Sequence, residues 1–491
     1  MRLKFSGLVL FLLLCNGSYA QLADTTLAWA DRLLLQEVHY PVASRLTRTL
    51  GAPTLKPLNR LIDAALLSRD YPLADSLLRQ SNALAGSGSD RERAYDHFNR
   101  ARLLYEQSDY VEAARHGSSA RQMLAANKMA DPGALLQRND LQLAKIFIQQ
   151  RQLRQAQPLL TTAFDFFNQD SVRYAIPLAQ TCFAMGLWHK INGDWQSALN
   201  YYTRAARLFE GDSHERYYDL GRCYNNLGTV YNEQGNYGQA KAWYVRALQV
   251  KRRYSSDSLS LAVTYNNMGT FYSNFGNLYQ AREHYEKSLA LLNPRDVRTR
   301  ERQIQFLNNY ANLLMEVDEQ DAAERNLRRS LQLLREAGVS GEPALAPSLS
   351  LAGLLTARGE LASAEELLES CGRILADSQS TSRMVALWHL RHADLLNHKG
   401  DLAAADEAYG LAEKFAGAAN SLLASEVFRH RGELALKQMK ENDALHYFHN
   451  AYTTIKPDLS VNDPQFCINF NLLGSTFLQK NDLDSALHYL Q

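Results

Sequence analysis

The chain has 491 residues, of which 46% are hydrophobic and 21% are charged. This composition excludes an intrinsically disordered chain and is typical of a folded protein. The formal charge is +1, so the chain lacks the basic excess that draws a protein to nucleic acid or to an anionic membrane. We therefore expect neither of these among its partners.

The first 20 residues have the pattern of a secretory signal peptide. Arg2 and Lys4 precede an apolar run over residues 8–14, and Ala20 ends a small-residue motif just before Gln21. A run of this length is typical of a cleaved signal and is too short for a stable membrane-spanning helix. The sequence therefore predicts export, with residues 1–20 removed.

A lipid on Cys15 is the alternative to simple cleavage. Bacterial lipoprotein signals place a small residue before that cysteine, and here the residue is Leu14, which favours cleavage. The short segment ending in Ala-Gln resembles signals of Gram-negative Bacteroidetes, which implies the periplasm or the cell surface. No later stretch reaches about 18 uninterrupted apolar residues, so we expect no membrane span in the mature chain.

Four cysteines remain after the signal, and they are too sparse to form a disulfide framework. No C-x-x-C pair is present, so the sequence does not predict a metal site. We interpret all four as small buried hydrophobic residues, and a bridge between the first two is the alternative: Cys182, Cys223, Cys371 and Cys467.

A repeat of about 41 residues runs through the chain after residue 54. Residues 224–231 read YNNLGTVY, and residues 265–272 read YNNMGTFY. One position near the centre of each copy, which we call the anchor, is small in every copy but the eroded first. The anchors are Ile62, Ala101, Ala144, Gly186, Gly228, Gly269, Ala311, Ala352, Ala393, Gly432 and Gly474.

Two further columns of small residues keep step with the anchors. Alanine stands twelve residues after each anchor, at positions 74, 113, 156, 198, 240, 281, 323, 364, 405, 444 and 486. Nineteen residues after each of the first ten anchors stands Ala, Ser or Cys, and Cys371 belongs to this column. Between the two halves of many copies lies a Gly-Asp, Gly-Asn or Gly-Glu pair, where glycine supplies the positive φ that ends a helix.

These columns predict two antiparallel helices in each copy, which approach closely where the small residues lie. Large apolar residues fall at helical spacing around them, and loop signals rich in Pro, Ser and Asp separate the copies. We predict an all-α solenoid over residues 55–491 and an N-terminal helical cap over residues 21–54. The last copy stops inside its second helix, so we interpret it as truncated.

The columns resemble the tetratricopeptide repeat, which has small residues at the same relative positions. The period is longer than the usual 34 residues and is similar to that of kinesin-light-chain-type repeats. The resemblance implies a right-handed superhelix of about eleven repeats with a concave groove. Exported bacterial proteins of this kind carry such arrays before a CHAT-type caspase-like peptidase or a histidine kinase domain.

No motif for catalysis is present in the sequence. The phosphate loop, the H-E-x-x-H zinc helix and the G-x-S-x-G nucleophile elbow are all missing. We therefore predict that this chain is not an enzyme and needs no cofactor and no metal.

Asparagines at the predicted concave positions are the candidate binding residues. Three consecutive repeats carry an Asn pair just before the anchor, although asparagine is a mediocre helix former. An amide donates and accepts, which suits the backbone of an extended peptide, and related repeat proteins use such a ladder. The candidate ladder and its added polar contacts are Asn225, Asn226, Thr229, Asn266, Asn267, Thr270, Asn308, Asn309 and Asn312.

Two interpretations of this groove remain. Either the asparagines bind a partner, or they bond only to neighbouring repeats and to solvent. Arg391 and Arg429 lie further along the same face and favour an acidic segment in the partner.

We predict an exported scaffold or sensor array that binds a protein or peptide in its groove. The alternative is a regulatory arm of a larger enzyme, either a peptidase or a kinase, whose catalytic domain follows residue 491.

Overall fold

The computed structural model describes residues 54–490, apart from 68, 85, 87, 127–132, 212–216, 255–257, 294–298, 339–340, 378–381, 418–420 and 456–463. The predicted signal peptide lies outside these residues, and so does the predicted cap apart from Thr54.

The described residues form 22 α-helices and no strand, which confirms the predicted all-α class. One short 3₁₀ helix, Glu342–Ala344, precedes the fifteenth. The helices are α1 (Leu55–Leu67), α2 (Tyr71–Asn82), α3 (Asp90–Glu106), α4 (Tyr110–Ala126), α5 (Gly133–Gln149), α6 (Leu153–Gln169), α7 (Ala175–Ile191), α8 (Trp195–Glu210), α9 (Tyr217–Glu233), α10 (Tyr237–Tyr254), α11 (Ser258–Asn274), α12 (Leu278–Ala290), α13 (Arg300–Glu316), α14 (Gln320–Glu336), α15 (Leu345–Ala357), α16 (Leu361–Asp377), α17 (Ser382–Lys399), α18 (Leu402–Ala416), α19 (Ser421–Lys437), α20 (Glu441–Ile455), α21 (Pro464–Gln479) and α22 (Leu483–Leu490).

The helices pack as successive antiparallel pairs, and the chain divides into two compact units. Unit 1 is Met1–Cys223 and unit 2 is Tyr224–Gln491, with the boundary inside α9. In both units a first helix of a pair also contacts the first helix of the next pair, as α3 contacts α5 and α13 contacts α15. Because the first helices approach one another in this way, they line the concave side of each unit.

The predicted alanine column is buried between the paired helices. All eleven alanines are at most 1% exposed, from Ala74 to Ala486. Cys371 in the third column is also buried, as predicted, and so are Cys182 and Cys223. Cys467 is exposed, so the prediction of four buried cysteines was wrong for this residue, which lies in the first turn of α21. Cys182 and Cys223 are free thiols, and the alternative bridge is not formed.

Aromatic rings explain why several anchors are glycine. The residue sixteen positions after the anchor lies directly on it, and a Cβ atom at Gly228 would come within 2.7 Å of the Tyr244 ring. At Gly269 the same atom would come within 2.6 Å of Tyr285. Such distances are far inside van der Waals contact, so the ring and the missing side chain are complementary.

The turn between the two helices of a pair requires a left-handed residue in every copy. Seven residues after each of the eleven anchors φ is positive, and glycine occupies five of these positions, including Gly235 and Gly276. The other six hold Arg69, Ser108, Arg151, Asp318, Met439 and Asn481. These side chains adopt a conformation that costs L-residues free energy, so repeat packing determines the turn even where the sequence lacks its glycine signal.

We call the aromatic residues that lie sixteen positions after an anchor the ring column. Where such a residue is tyrosine, the residue one position after the anchor can accept or share a hydrogen bond with its hydroxyl group. Tyr285 lies 3.0 Å from the Thr270 hydroxyl, and Tyr409 donates to Asp394 Oδ1 at 2.7 Å. The fully buried Tyr202 hydroxyl has no hydrogen-bond partner. The equivalent position in its repeat is Leu187, which offers no acceptor.

We expect three Tyr→Phe variants to differ in sign. Tyr285→Phe should lower the free energy of unfolding by about 1 kcal/mol, and Tyr409→Phe by about 1.5–3 kcal/mol because its acceptor is charged. Tyr202→Phe should leave stability unchanged or raise it, since it removes a buried hydroxyl that lacks a partner. Urea denaturation measures all three, and a loss at Tyr202 as large as that at Tyr285 would contradict the assignment.

A pair of histidines joins α3 to α4 within unit 1. Arg115 Nη2 lies 3.2 Å from His116 Nε2, and because a guanidinium only donates, this nitrogen accepts. The neutral His116 ring therefore carries its proton on Nδ1, which donates to His97 Nδ1 at 2.7 Å. Burial lowers the pKa of both rings, and with the charges of His97 and Arg115 it brings the pKa of His116 to about 4.

This pair predicts acid sensitivity of the second repeat. Its histidines have a lower pKa in the folded than in the unfolded chain, so the unfolded chain binds more protons between pH 6.5 and about 4. The stabilising contribution is complete above pH 6.5 and is lost as the pH falls through this window. His116→Gln should show a shallower fall of Tm between pH 6.5 and 4 than the unsubstituted protein.

The control for this measurement is His449→Gln, which changes an exposed histidine outside the pair. It should retain the full acid dependence. Equal pH profiles for the His116 variant and the unsubstituted protein would disprove the role of the pair.

Candidate functional site

The predicted ladder lies on three consecutive first helices, α9, α11 and α13, on the concave side of unit 2. The second member of each pair is half-buried, namely Asn226, Asn267 and Asn309. Asn225 and Asn266, the first members of two of the pairs, are buried. The pairs on α9 and α11 therefore bury their first amide and leave the second half-buried, whereas on α13 both Asn308 and Asn309 are half-buried.

The asparagines are joined by hydrogen bonds that cross from repeat to repeat. Asn309 Nδ2 donates to Asn266 Oδ1 at 3.2 Å, and Asn267 Nδ2 donates to Asn225 Oδ1 at 3.2 Å. A longer contact of 3.5 Å, from Asn266 Nδ2 to Asn267 Oδ1, connects the two bonds. We call these four residues the amide relay. The asparagines therefore do bond to neighbouring repeats, as the second of the two interpretations of the groove states.

The relay leaves hydrogen-bonding capacity on its groove side. A primary amide has two N–H donors and an oxygen with two lone pairs, and the relay uses one donor of Asn267 and one of Asn309. Asn308 Oδ1 is buried and has no hydrogen-bond partner. The arrangement therefore orients the half-buried amides and still offers both a donor and an acceptor to a ligand.

The neighbouring threonines are partly engaged by the fold. Thr229 and Thr270 donate to the backbone carbonyls of Asn225 and Asn266, at 3.1 and 3.3 Å. Their hydroxyls also meet the Tyr244 and Tyr285 hydroxyls described above, at 3.3 and 3.0 Å. Asn312 is half-buried and occupies the equivalent position in the seventh repeat. These residues border the relay, and the threonines hold the rings of the second helices.

Arg391 is neutralised by an ion network at the end of the groove. Its Nη1 donates to Asp394 at 3.1 Å and its Nη2 to Glu426 at 3.2 Å. A Cβ atom at Gly353 would lie 3.1 Å from Arg391 Cδ, so the arginine side chain rests on the preceding repeat. His430 Nδ1 lies 2.8 Å from Asp394 and completes the network.

Charge pairing holds this network together at neutral pH. Burial alone would raise the pKa of Asp394, but His430, Arg391 and the Tyr409 hydroxyl hold it well below its usual range. Burial would lower the pKa of His430, and the Asp394 carboxylate raises it instead. Arg391 is therefore engaged by two carboxylates of the fold.

Arg429 differs from Arg391. Its Nε is buried without a hydrogen-bond partner, and no ion pair of its guanidinium occurs among the described residues. Of the two predicted arginines, Arg391 is paired with carboxylates, and Arg429 forms no ion pair among the described residues.

An acidic residue, Glu316, ends α13, the last of the three helices that carry the relay. Glu316 accepts from Ser273 Oγ at 3.2 Å. Its pKa is raised by burial and by the negative charge of Glu426, which faces it from α19. The groove of unit 2 therefore carries carboxylates as well as amides.

Buried charges fill the equivalent positions of unit 1, which sequence reasoning missed. Asp63 accepts from both terminal nitrogens of Arg138 at 3.0 Å, and also from Arg102 and from the Tyr95 hydroxyl. Burial would raise the pKa of Asp63, but these partners hold it well below its usual range. Asn99 is fully buried and donates to the Asn59 carbonyl at 3.0 Å.

The sequence does contain a signal for both ion networks. Arg-x-x-Asp spans the anchor of the first repeat and that of the ninth, as Arg60–Asp63 and Arg391–Asp394. Both positions face the concave side, where the central repeats carry Asn and Thr. In the ninth repeat these two residues pair with each other, whereas in the first Arg60 pairs with Glu92, and Asp63 pairs with arginines of the second and third repeats. An Asp at the threonine position therefore marks a repeat whose groove side is occupied by charges of the protein itself.

The described residues contain no group of three or more His, Cys, Asp or Glu side chains arranged to hold a metal ion. Burial raises the pKa of the Cys182 thiol to about 12 and that of Cys371 to about 11, so neither is a nucleophile at neutral pH. Among these residues no helix is both long and apolar enough to cross a membrane.

We expect replacement of the two arginines to change the free energy of unfolding by different amounts. Arg391→Met should lower the free energy of unfolding by about 1–3 kcal/mol, because two carboxylates lose a charged donor. Arg429→Met should change it by less than about 0.5 kcal/mol, since no carboxylate depends on it. Urea denaturation of both variants measures the difference, and equal losses would contradict the network described here.

Comparison with known proteins supports the repeat assignment. Residues 219–293 match the family model described as tetratricopeptide repeat. No curated protein sequence matches the chain. Among solved structures, the apo form of RapI is 13% identical with a TM-score of 0.50, over 74% of this chain and 97% of that chain. At this identity the likeness concerns the fold alone.

Two further structures are similar over shorter stretches. A tetratricopeptide repeat protein from Parabacteroides merdae is 19% identical with a TM-score of 0.40, over 61% of this chain and 98% of that chain. NprR in complex with its cognate peptide NprX is 15% identical with a TM-score of 0.47, over 60% of this chain and 83% of that chain. The family match over residues 219–293, the eleven helix pairs of the described residues and the fold likeness to the apo form of RapI together support a tetratricopeptide repeat protein.

Proposed function

We propose that the protein is an interaction scaffold that binds an extended peptide segment of a partner along the amide relay of unit 2. The observation that supports this most directly is the relay itself. It places oriented amides on three consecutive first helices, and the half-buried amides of Asn267 and Asn309 each keep a second N–H donor.

The spacing of the repeats suits a peptide backbone. Neighbouring packed helices lie about 10 Å apart, and a β-like peptide advances about 3.3 Å per residue. Successive half-buried asparagines therefore meet backbone groups about three residues apart. Recognition through backbone N–H and C=O groups makes binding tolerant of the peptide's sequence, while the carboxylate of Glu316 and the charge of Arg429 select among side chains.

We also propose that the scaffold acts outside the cytoplasm, in the periplasm or at the cell surface. The support is the signal-peptide pattern of residues 1–20. These residues lie outside the described part of the chain.

The relay is tested with peptides selected from a random display library against the full mature chain. Asn267→Ala and Asn309→Ala should each raise the Kd of a selected peptide about 2- to 10-fold, the worth of one neutral hydrogen bond. N-methylation of the peptide backbone should weaken binding more than alanine replacement of its side chains. Isothermal titration calorimetry measures both effects.

Gln249→Ala is the matched control, since it removes an exposed amide from the second helix α10. It should leave the Kd unchanged. If the two asparagine variants lower the urea midpoint and the Kd stays at its original value, the relay is structural and the partner binds elsewhere.

A further inference from the structure

One contact in unit 1 joins two repeats that lie four copies apart. Arg69 lies in the turn between α1 and α2, and its guanidinium carbon is 3.7 Å from the centroid of the Tyr218 ring. Tyr218 lies in the first turn of α9, four repeats further along the chain. In a repeat array each repeat contacts its neighbours, so a contact over four repeats is a separate constraint on curvature.

Arg69 is held in position by a second set of bonds. Its Nε donates to the Tyr71 hydroxyl at 3.2 Å, and this hydroxyl donates to Glu106 Oε2 at 2.9 Å. Glu106 is the last residue of α3, in the second repeat. The guanidinium that meets Tyr218 is thereby tied to two consecutive repeats.

The far side of the contact is supported by a second arginine. Arg222 lies one turn after Tyr218 on α9, with its guanidinium carbon 5.6 Å from the Tyr218 ring and 4.4 Å from the Phe183 ring. The charge of Glu106 acts on Arg222 across the groove. Charges and rings of the first, second and fifth repeats therefore converge on one place.

We propose that Arg69, Tyr71, Glu106, Tyr218 and Arg222 form a latch that holds unit 1 closed on its concave side. Cation–π and single ion contacts at partly exposed sites are weak and reversible. The helix pairs do not depend on the latch, since they are held by the small-residue columns. Its release therefore changes the curvature of unit 1 and widens access to its concave side without unfolding the repeats.

The latch is tested by pulsed electron–electron double resonance, which measures the distance between two spin labels, on the full mature chain. Spin labels are placed at two exposed positions, Ser76 on α2 and Arg207 on α8, in a Cys467→Ser background that removes the exposed native thiol. Arg69→Asn removes the guanidinium and tolerates the positive φ of this turn, 63°. We expect it to move the distance distribution to longer values and to broaden it.

Two further variants separate the latch from other effects. Tyr218→Leu should cause the same shift and Tyr218→Phe none, because phenylalanine retains the ring face. Ser108→Asn introduces the same residue at the equivalent turn of the next repeat, where φ is 64°, without removing a guanidinium, and should leave the distribution unchanged. An unchanged distribution in Arg69→Asn, or an equal shift in Ser108→Asn, would overturn the proposal.

Discussion

The close approach of two helices at a small residue is the constraint on which the rest of the structure depends. Eleven buried alanines allow the second helix of each pair to lie against the first. Where the anchor is Gly228 or Gly269, a tyrosine ring takes the space of the missing side chain. Dense packing of this kind tolerates neither a larger residue at the anchor nor a smaller one in the ring column. The period of the sequence is the period of this contact.

Because packing is satisfied by these columns, the concave positions are free to vary. The same two positions, two residues before the anchor and one after it, carry Asn and Thr in the central repeats. In the ninth repeat they carry Arg391 and Asp394, which bond to each other. One scaffold thus produces an amide-lined groove in one place and an ion network in another, and the difference lies in side chains that the fold does not need.

The two kinds of groove have different consequences for binding. In an ion network the charges are paired with one another, as the carboxylate of Asp394 is with Arg391 and His430. A ligand would have to compete with these existing partners. Amides in a relay keep a donor and an acceptor each, since one hydrogen bond does not exhaust either group. Within unit 2 this distinction places the proposed peptide site on α9, α11 and α13. In unit 1 the corresponding positions are filled by Asp63 and its arginines.

The sequence by itself determined the repeat, the helix pairs and the small-residue columns, because each depends on residues at fixed spacing within one copy. It also located the ladder and the five glycine turns. Tertiary structure alone decided that Asn225 and Asn266 are buried, that the relay runs from Asn309 to Asn225, and that Arg391 is bound to carboxylates of its own and the next repeat. These outcomes depend on how one repeat is placed on the next, and the contact between Arg69 and Tyr218 depends on curvature added up over four repeats. Spacing within a copy carries no information about either.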